Sequence, residues 1–350
     1  MRVPGAPAAL AAILLVACGG TAAPGASPAS AAGAKPAASA SGKALTKIVE
    51  SLPTRDFGYL SSVLAQDKGF FAEGGLQVEL PVMASQASIP ALTNKQIQFA
   101  PHGSAERAAY QGAPLKGIWY AWQFNTFYAV AAKEVKTYKD LKGKVLSIAS
   151  PGSSEDVIVH LLLKREGISP SDVSIVPLGG GPQRAQALIG GQVQFTLGNP
   201  DIAVDLEQKG FTMLGPVADI LPVPWSGFAV HEDTLKEQPE MVKAWLRAQT
   251  KALQFIKQNP KETAAIAARQ FQLSDAVAEK AVGLVQAAIS DDDPGGLTEQ
   301  GMILNTQVDL DAVKLNADPL ELGKKVNDVA LLRQVQRELG IRCSKGYQCQ

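Results

Sequence analysis

Cysteine, histidine and unbalanced charge are all scarce in this chain of 350 residues. Three cysteines, Cys18, Cys343 and Cys349, cannot build a zinc ribbon, an iron–sulfur centre or a disulfide-dense scaffold. His102, His160 and His231 are scattered, and neither His-Glu-x-x-His nor Gly-x-Ser-x-Gly occurs, so the common metal and hydrolase constellations lack their residues. The run Asp291 to Gly296 reads as a turn, because calcium ligands at alternating positions and a later Glu are missing. These absences point to no metal, no cofactor and no catalytic residues. The 33 basic side chains cancel the 33 acidic ones, which leaves no basic surface for displacing counterions from nucleic acid. What remains is 46% hydrophobic and 19% charged, too apolar for a disordered chain and long enough for two cores.

The N-terminal apolar run is short, from Ala8 to Ala17. It cannot cross a hydrocarbon core, which takes about 20 residues of helix, but it matches the apolar region of a secretory signal. Its ending, Leu15-Val16-Ala17-Cys18, resembles a bacterial lipobox, which implies cleavage before Cys18 and lipid on its thiol. Residues 1–18 are then the signal. From Gly19 to Lys43 every residue except Lys35 and Lys43 is Ala, Gly, Pro, Ser or Thr, a composition with nothing to bury, so residues 19–43 read as a flexible tether. The expected location is extracytoplasmic, on a lipid anchor. With Cys18 lipidated, Cys343 and Cys349 remain as an even pair, either bridged in an oxidising compartment or free on the C-terminal tail 343–350.

The chain also resembles itself. Ala91 to Phe99 (ALTNKQIQF) returns 96 residues later as Ala187 to Phe195 (ALIGGQVQF), and Val78 to Pro81 has a counterpart at Ser174 to Pro177. An amphipathic helix stopped by glycine precedes each, at Gly69 and Gly167. Two bodies with one β-α-β-α-β plan follow. Strands are expected at 47–52, 76–82, 97–100, 145–149, 173–178 and 193–197. Their alternation with helices predicts parallel sheets covered on both faces. Ser153 or Ser154 caps the helix after 149, with Val157, Ile158, Leu161 and Leu162 as its buried stripe and His160 at the stripe's edge. From Glu232 to Gly340 the apolar period is helical.

Gly58-Tyr59 through Ala65, Lys68 to Leu76 (KGFFAEGGL), Tyr138 to Lys144 (YKDLKGK) and Leu332 to Gly340 (LRQVQRELG) together resemble the solute-binding proteins of the thiamine-precursor, nitrate, taurine and aliphatic-sulfonate transport family. The resemblance covers roughly residues 44 to 341. It implies an α/β fold of the two-lobed periplasmic-binding-protein type (type II), with two crossing segments and a helical C-terminal part. Lobe one is residues 44–125 plus 229–342, lobe two is 126–228, and the crossings are near 123–128 and 224–230. It also implies a monomer that holds a small solute (pyrimidine-like, sulfonate, nitrate or similar) and meets an ABC permease with its ATPase, and no enzyme. The family often has Asp where this chain has Gln98 and Gln194, which reads as a structural position. Two alternatives stand beside transport. One is a receptor that signals to a membrane kinase, distinguished by a kinase gene nearby. The other is a pyrimidine-synthase-like enzyme of the same fold, which needs a cysteine-rich segment that this chain lacks.

Ligands of open α/β sheets sit beyond the carboxyl ends of strands. Those loops supply the candidates Thr54, Arg55, Ser85, Gln86 and Ser104 on one side, and Gly152, Ser153, Ser154, Asn199 and Asp201 on the other. Pro151 to Ser154 places N–H groups and hydroxyls at a helix start, for an anion, a carbonyl or the helix's own cap. Arg55 offers a fork for an anion, or pairs with Asp56 beside it. Gly179 to Gly181 lacks the Lys-Ser/Thr of a phosphate loop and reads as a close approach to the opposite lobe. Six of the 21 aromatic residues fall between Trp119 and Tyr128. Most are expected in the core, with one of Trp122, Phe124 or Trp225 stacking a planar ligand at the crossings.

Overall fold

The computed structural model describes residues 44–349, so the lipobox Cys18 and the tether lie outside the described residues. The chain first runs through β1 (Thr46–Val49), α1 (Leu60–Asp67), α2 (Phe70–Glu73), β2 (Leu76–Glu79), α3 (Ser85–Thr93), β3 (Ala100–Pro101), α4 (His102–Tyr110) and β4 (Leu115–Trp122). It continues with β5 (Tyr128–Ala131), β6 (Val145–Ile148), α5 (Ser154–Glu166), β7 (Ser174–Pro177), α6 (Gly181–Ile189), β8 (Phe195–Gly198), α7 (Pro200–Gln208) and β9 (Thr212–Pro216). After β10 (Trp225–His231) it is helical: α8 (Glu232–Glu237), α9 (Pro239–Gln258), α10 (Pro260–Phe271), α11 (Asp275–Gln286), α12 (Glu299–Val313), α13 (Pro319–Val326) and α14 (Ala330–Glu338).

The sheets are mixed, which corrects the all-parallel expectation. One has the order β7-β6-β8-β5-β9, with β6 parallel to β7 and β8, and β5 antiparallel to β8 and β9. In the other half β1 pairs parallel with β2, while β10 lies antiparallel between β3 and β4. A parallel bridge from Glu50 to Phe99 carries this on as β2-β1-β3-β10-β4, the same plan. The reversed strand in each half is the one that enters across residues 123–127 or 217–224, and arrival from the other body sets its direction. β10 starts at Trp225, so residues 225–228 pair with β3 and β4, before the expected boundary at 229.

The repeat extends to single hydrogen bonds. Gln98 Oε1 accepts from the Val49 N–H at 2.8 Å, and Gln194 Oε1 from the Val145 N–H at 3.1 Å. Ser51 Oγ donates to the Phe99 carbonyl, as Ser147 Oγ does to that of Phe195. The strand pairing sets Glu79 opposite Val49 and Ser174 opposite Val145, so the second strand is displaced by one residue from the 96-residue offset.

Among the described residues the buried apolar side chains form four clusters, and the two largest belong one to each half of the repeat. Trp119, Trp122, Phe228 and Trp245 fill the first, with Trp245 stacked on Phe99 at 4.2 Å. Leu146, Ile158, Leu162, Phe195 and Leu197 fill the second. In α5, Ser153 is the cap, its Oγ accepting from the Asp156 N–H at 3.3 Å, and Gly167 ends the helix at φ 69°. The buried stripe is Ile158, Val159, Leu162 and Leu163. It is turned by one residue from the expectation: Leu161 is only partly buried and His160 is exposed. Asp293, in the 291–296 turn, is buried against Arg333 and takes a bond from Gln336 Nε2 at 2.9 Å, which fastens the turn to α14. Cys343 and Cys349 form a disulfide with Cα atoms 5.5 Å apart. Among the described residues no helix is long and apolar enough to cross a membrane.

Candidate ligand-binding site

A cavity of about 450 Å³ opens where the carboxyl ends of the two strand sets meet. That volume suits a small organic molecule. Pro53, Thr54, Asp56 and Tyr59 after β1, Ser85 and Gln86 at the start of α3, and His102, Ser104 and Arg107 on α4 form one wall. Ser150 to Glu155 after β6, Gly179 and Gly180 after β7, and Asn199 after β8 form the other. Phe127, Leu221, Val223 and Trp225, at the crossings, supply apolar surface, and the Trp225 and Phe127 rings meet edge to face at 5.0 Å.

Of the sequence candidates, Thr54, Ser85, Gln86, Ser104, Gly152, Ser153, Ser154, Asn199 and Trp225 line this cavity, and four do not. Arg55 is exposed and donates to Gln270 Oε1 on α10 at 3.2 Å; Asp56 turns inward rather than pairing with it. Trp122 is fully buried, its Nε1 donating to the Gly58 carbonyl at 3.2 Å, because its strand face points into the first core. Phe124 packs partly buried against that same core. Asp201 is buried in the first turn of α7, behind the wall.

The two walls already touch. Asp56 Oδ1 accepts from Asn199 Nδ2 at 2.9 Å and from the Gly58 N–H at 3.0 Å, and Oδ2 accepts from Thr54 Oγ1 at 2.7 Å. Burial raises the Asp56 carboxyl above its usual range against these donors and the Arg184 charge. Gly180 passes close to Thr54: a Cβ added there would lie 3.3 Å from its methyl, so the loop after β7 lies against the loop after β1. The start of α5 is less open than the sequence suggests. Gly152 N–H donates to Asp156 Oδ2 at 2.8 Å, and Ser153 Oγ is engaged by the Asp156 N–H, so the helix's own acid takes up part of its donor set. Arg184, beneath Gly179, is buried and faces Glu155 at 3.0 Å.

The sequence reading placed the loop 102–104 beside the ligand but missed other lining residues: Arg107 further along α4, and Asn305, Val308 and Asp309 on α12. His102 Nδ1 accepts from the Gly227 N–H at 2.8 Å, and burial pushes its pKa down to about 4, so the ring is neutral at pH 7. Arg107 Nη1 contacts Asp309 Oδ1 at 2.9 Å, and burial pushes Asp309 up to about 6 against that pairing. One signal was readable: Thr306 and Asp309 share a helical face with Met302 and Leu310, so α12 carries polar groups on its buried side.

Comparison with known proteins matches this geometry to a family. A family profile described as "NMT1/THI5 like" matches residues 57–263. A riboflavin-binding protein, RibY, of Chloroflexus aurantiacus is 26% identical over 213 residues, which cover 57% of this chain and 59% of that protein. The alignment thus spans about three fifths of that relative. Among solved structures, the nitrate-binding protein NrtA of Synechocystis superposes with a TM-score of 0.68 at 15% identity, covering 84% of this chain and 89% of that one. The periplasmic sulfonate-binding protein SsuA of Methylobacillus flagellatus gives 0.63 at 18% identity, with 85% and 96% covered. At these identities the structures establish the fold, that of periplasmic binding proteins. With its profile match over more than half its length, the chain belongs to the NMT1/THI5-like family.

Proposed function

We propose that this protein is an extracytoplasmic solute-binding lipoprotein that captures a small molecule between two lobes and delivers it to an ABC importer. One observation carries the reading: a single cavity is lined by corresponding strand-end loops from both halves of the repeat. That arrangement suits capture by closure, because each lobe alone would hold only part of a ligand's surface. The lobes are taken as 44–125 plus 225–342 and about 126–224, with the second boundary moved to the start of β10. Names among similar proteins support transport: one of the superposed structures is described as belonging to a sulfonate ABC transporter, and another binds nitrate. The cavity is read as binding rather than catalysing, since His102, the lining imidazole, is buried and neutral at pH 7, and its hydrogen bond from the Gly227 N–H couples it to no nucleophile.

Lining favours a planar solute over a small inorganic anion. Trp225 presents a ring, and Arg107, the guanidinium among the lining residues, is already opposed by Asp309. The test is native mass spectrometry of protein purified without refolding, followed by calorimetry with whatever mass is found. A stoichiometric small molecule that rebinds supports solute capture; a protein with no bound mass, which no solute from a metabolite panel stabilises, refutes it. Anchoring is tested separately. Cys18→Ser should move the protein from the membrane fraction to the soluble one without unfolding it, and continued sedimentation with membranes would refute the lipid tether.

A further inference from the structure

Resting on the reading of the cavity as a solute site, we propose that Asn305 and Asp309 form an acceptor edge that selects planar ligands bearing an amidine- or amide-type N–H edge over ligands bearing a sulfonate, carboxylate or nitrate. The two residues lie four apart on α12 and both line the cavity. Asn305 Nδ2 donates to Glu106 Oε2 at 2.9 Å. Glu106 is itself held by the Tyr120 hydroxyl at 2.5 Å. That anchoring fixes the amide and leaves Oδ1, an acceptor, as the group offered to the cavity. Asp309 uses Oδ1 for Arg107, while Oδ2 is buried with no hydrogen-bond partner among the described residues, in a residue only 5% exposed. A buried acceptor without a donor is costly, and a ligand N–H that reaches Oδ2 as the side chains covering it give way would satisfy it.

Charge points the same way. The cavity is lined by the carboxylates Asp56, Glu155 and Asp309 and by one guanidinium, Arg107, which is paired. Arg184 sits behind the wall against Glu155. An incoming anion would meet more acid than base, in surroundings where charge is poorly screened. A ring bearing N–H groups can lie against Trp225 and point its donors at α12.

Three ring compounds of similar size separate the possibilities: benzamidine, benzamide and benzenesulfonate, titrated into the full chain by calorimetry or ligand-observed NMR. Benzamidine should bind at least about tenfold tighter than benzenesulfonate, with benzamide between them. Asp309→Asn should weaken benzamidine roughly 10- to 150-fold, the effect of losing a hydrogen bond to a charged group, and benzamide by less. Asn305→Ala leaves the buried Arg107–Asp309 pair intact, so it tests the same edge if Asp309→Asn proves unstable; it should weaken both N–H ligands by more than the modest fall in melting temperature from the lost Glu106 contact accounts for. Benzenesulfonate binding as tightly as benzamidine, no binding of any of the three, or folded variants of both residues that bind benzamidine like the parent would overturn the proposal. Solute capture as such would then still rest on the native mass measurement.

Discussion

Glu50 stands at the end of β1 with no solvent exposure, taking a bond from Trp245 Nε1 at 2.6 Å. Burial pushes its carboxyl up to about 7, against hydrogen bonds from Ser62, Trp245 and Gln249. Because the folded pKa lies above the unfolded one, the contribution to stability is complete below pH 4.5 and is lost as pH rises through about 7. At ~1.4 kcal/mol per pH decade this is about 3 kcal/mol, spread over that window. Glu50→Gln should therefore flatten the fall in unfolding free energy between pH 5 and 8, read by urea titration at both; parallel curves would show that Glu50 does not titrate there. The aromatic and basic candidates are separated by a second pair of variants. Arg55→Ala, at an exposed side chain outside the cavity, should change stability by less than ~0.5 kcal/mol and leave affinity unaltered. Trp225→Ala should cost roughly tenfold in affinity for a planar ligand, from lost stacking and buried area. The opposite order in calorimetry would restore an anion fork at Arg55.

At the scale of elements, the closing segment shows how a loose motif acquires a purpose. Arg333 and Gln336 of α14 both hold the Asp293 carboxylate, and Arg333 also reaches the Tyr347 carbonyl, so the 291–296 turn and the C-terminal loop hang on one helix. Removing one partner of such a buried pair leaves an uncompensated charge, and Asp293→Ala should destabilise by about 3–5 kcal/mol. Reducing the Cys343–Cys349 bridge, which closes a loop of six-residue separation, should cost only about 2 kcal/mol. Thermal melts of the variant and of the reduced protein should therefore differ, with Asp293→Ala the lower; the reverse order would make the bridge the main fastening. The same logic applies at the start of α5, where Ser153 serves the helix as its cap before it can serve a ligand.

For the whole molecule, the contacts between the two halves matter most. The Asn199 to Asp56 hydrogen bond and the Gly180 approach to Thr54 join strand-end loops of the two halves, and Asn199 Oδ1 also accepts from Thr126 at 3.3 Å in the crossing, which puts this contact on the crossing side. Under the two-lobe reading they hold the halves together without ligand. Asn199→Ala should then enlarge the radius of gyration of the ligand-free protein in small-angle scattering, and saturating ligand should compact it again. No change in either state would mean that closure does not pass through this bond.

Much of this was legible in the chain itself. The 96-residue recurrence established two bodies of one plan, because matching Gln and Phe positions make matching bonds to matching strands. Cap residues and stop glycines marked α5, since a helix end has only local partners for its free N–H and C=O groups. The strand-end rule found most of both walls, because connectivity alone puts those loops at one edge of a sheet. Other features needed the folded chain. The antiparallel strands β5 and β10 take their direction from which body the chain arrives from, and local sequence carries no record of that. Trp122 and Trp225 are both aromatic residues beside a crossing; one fills a core and the other faces the cavity, a difference set by how the two sheets pack. Asp309 lies more than two hundred residues from Thr54 and Ser85, and only packing of α12 beside α4 brings it to the lining of the same cavity.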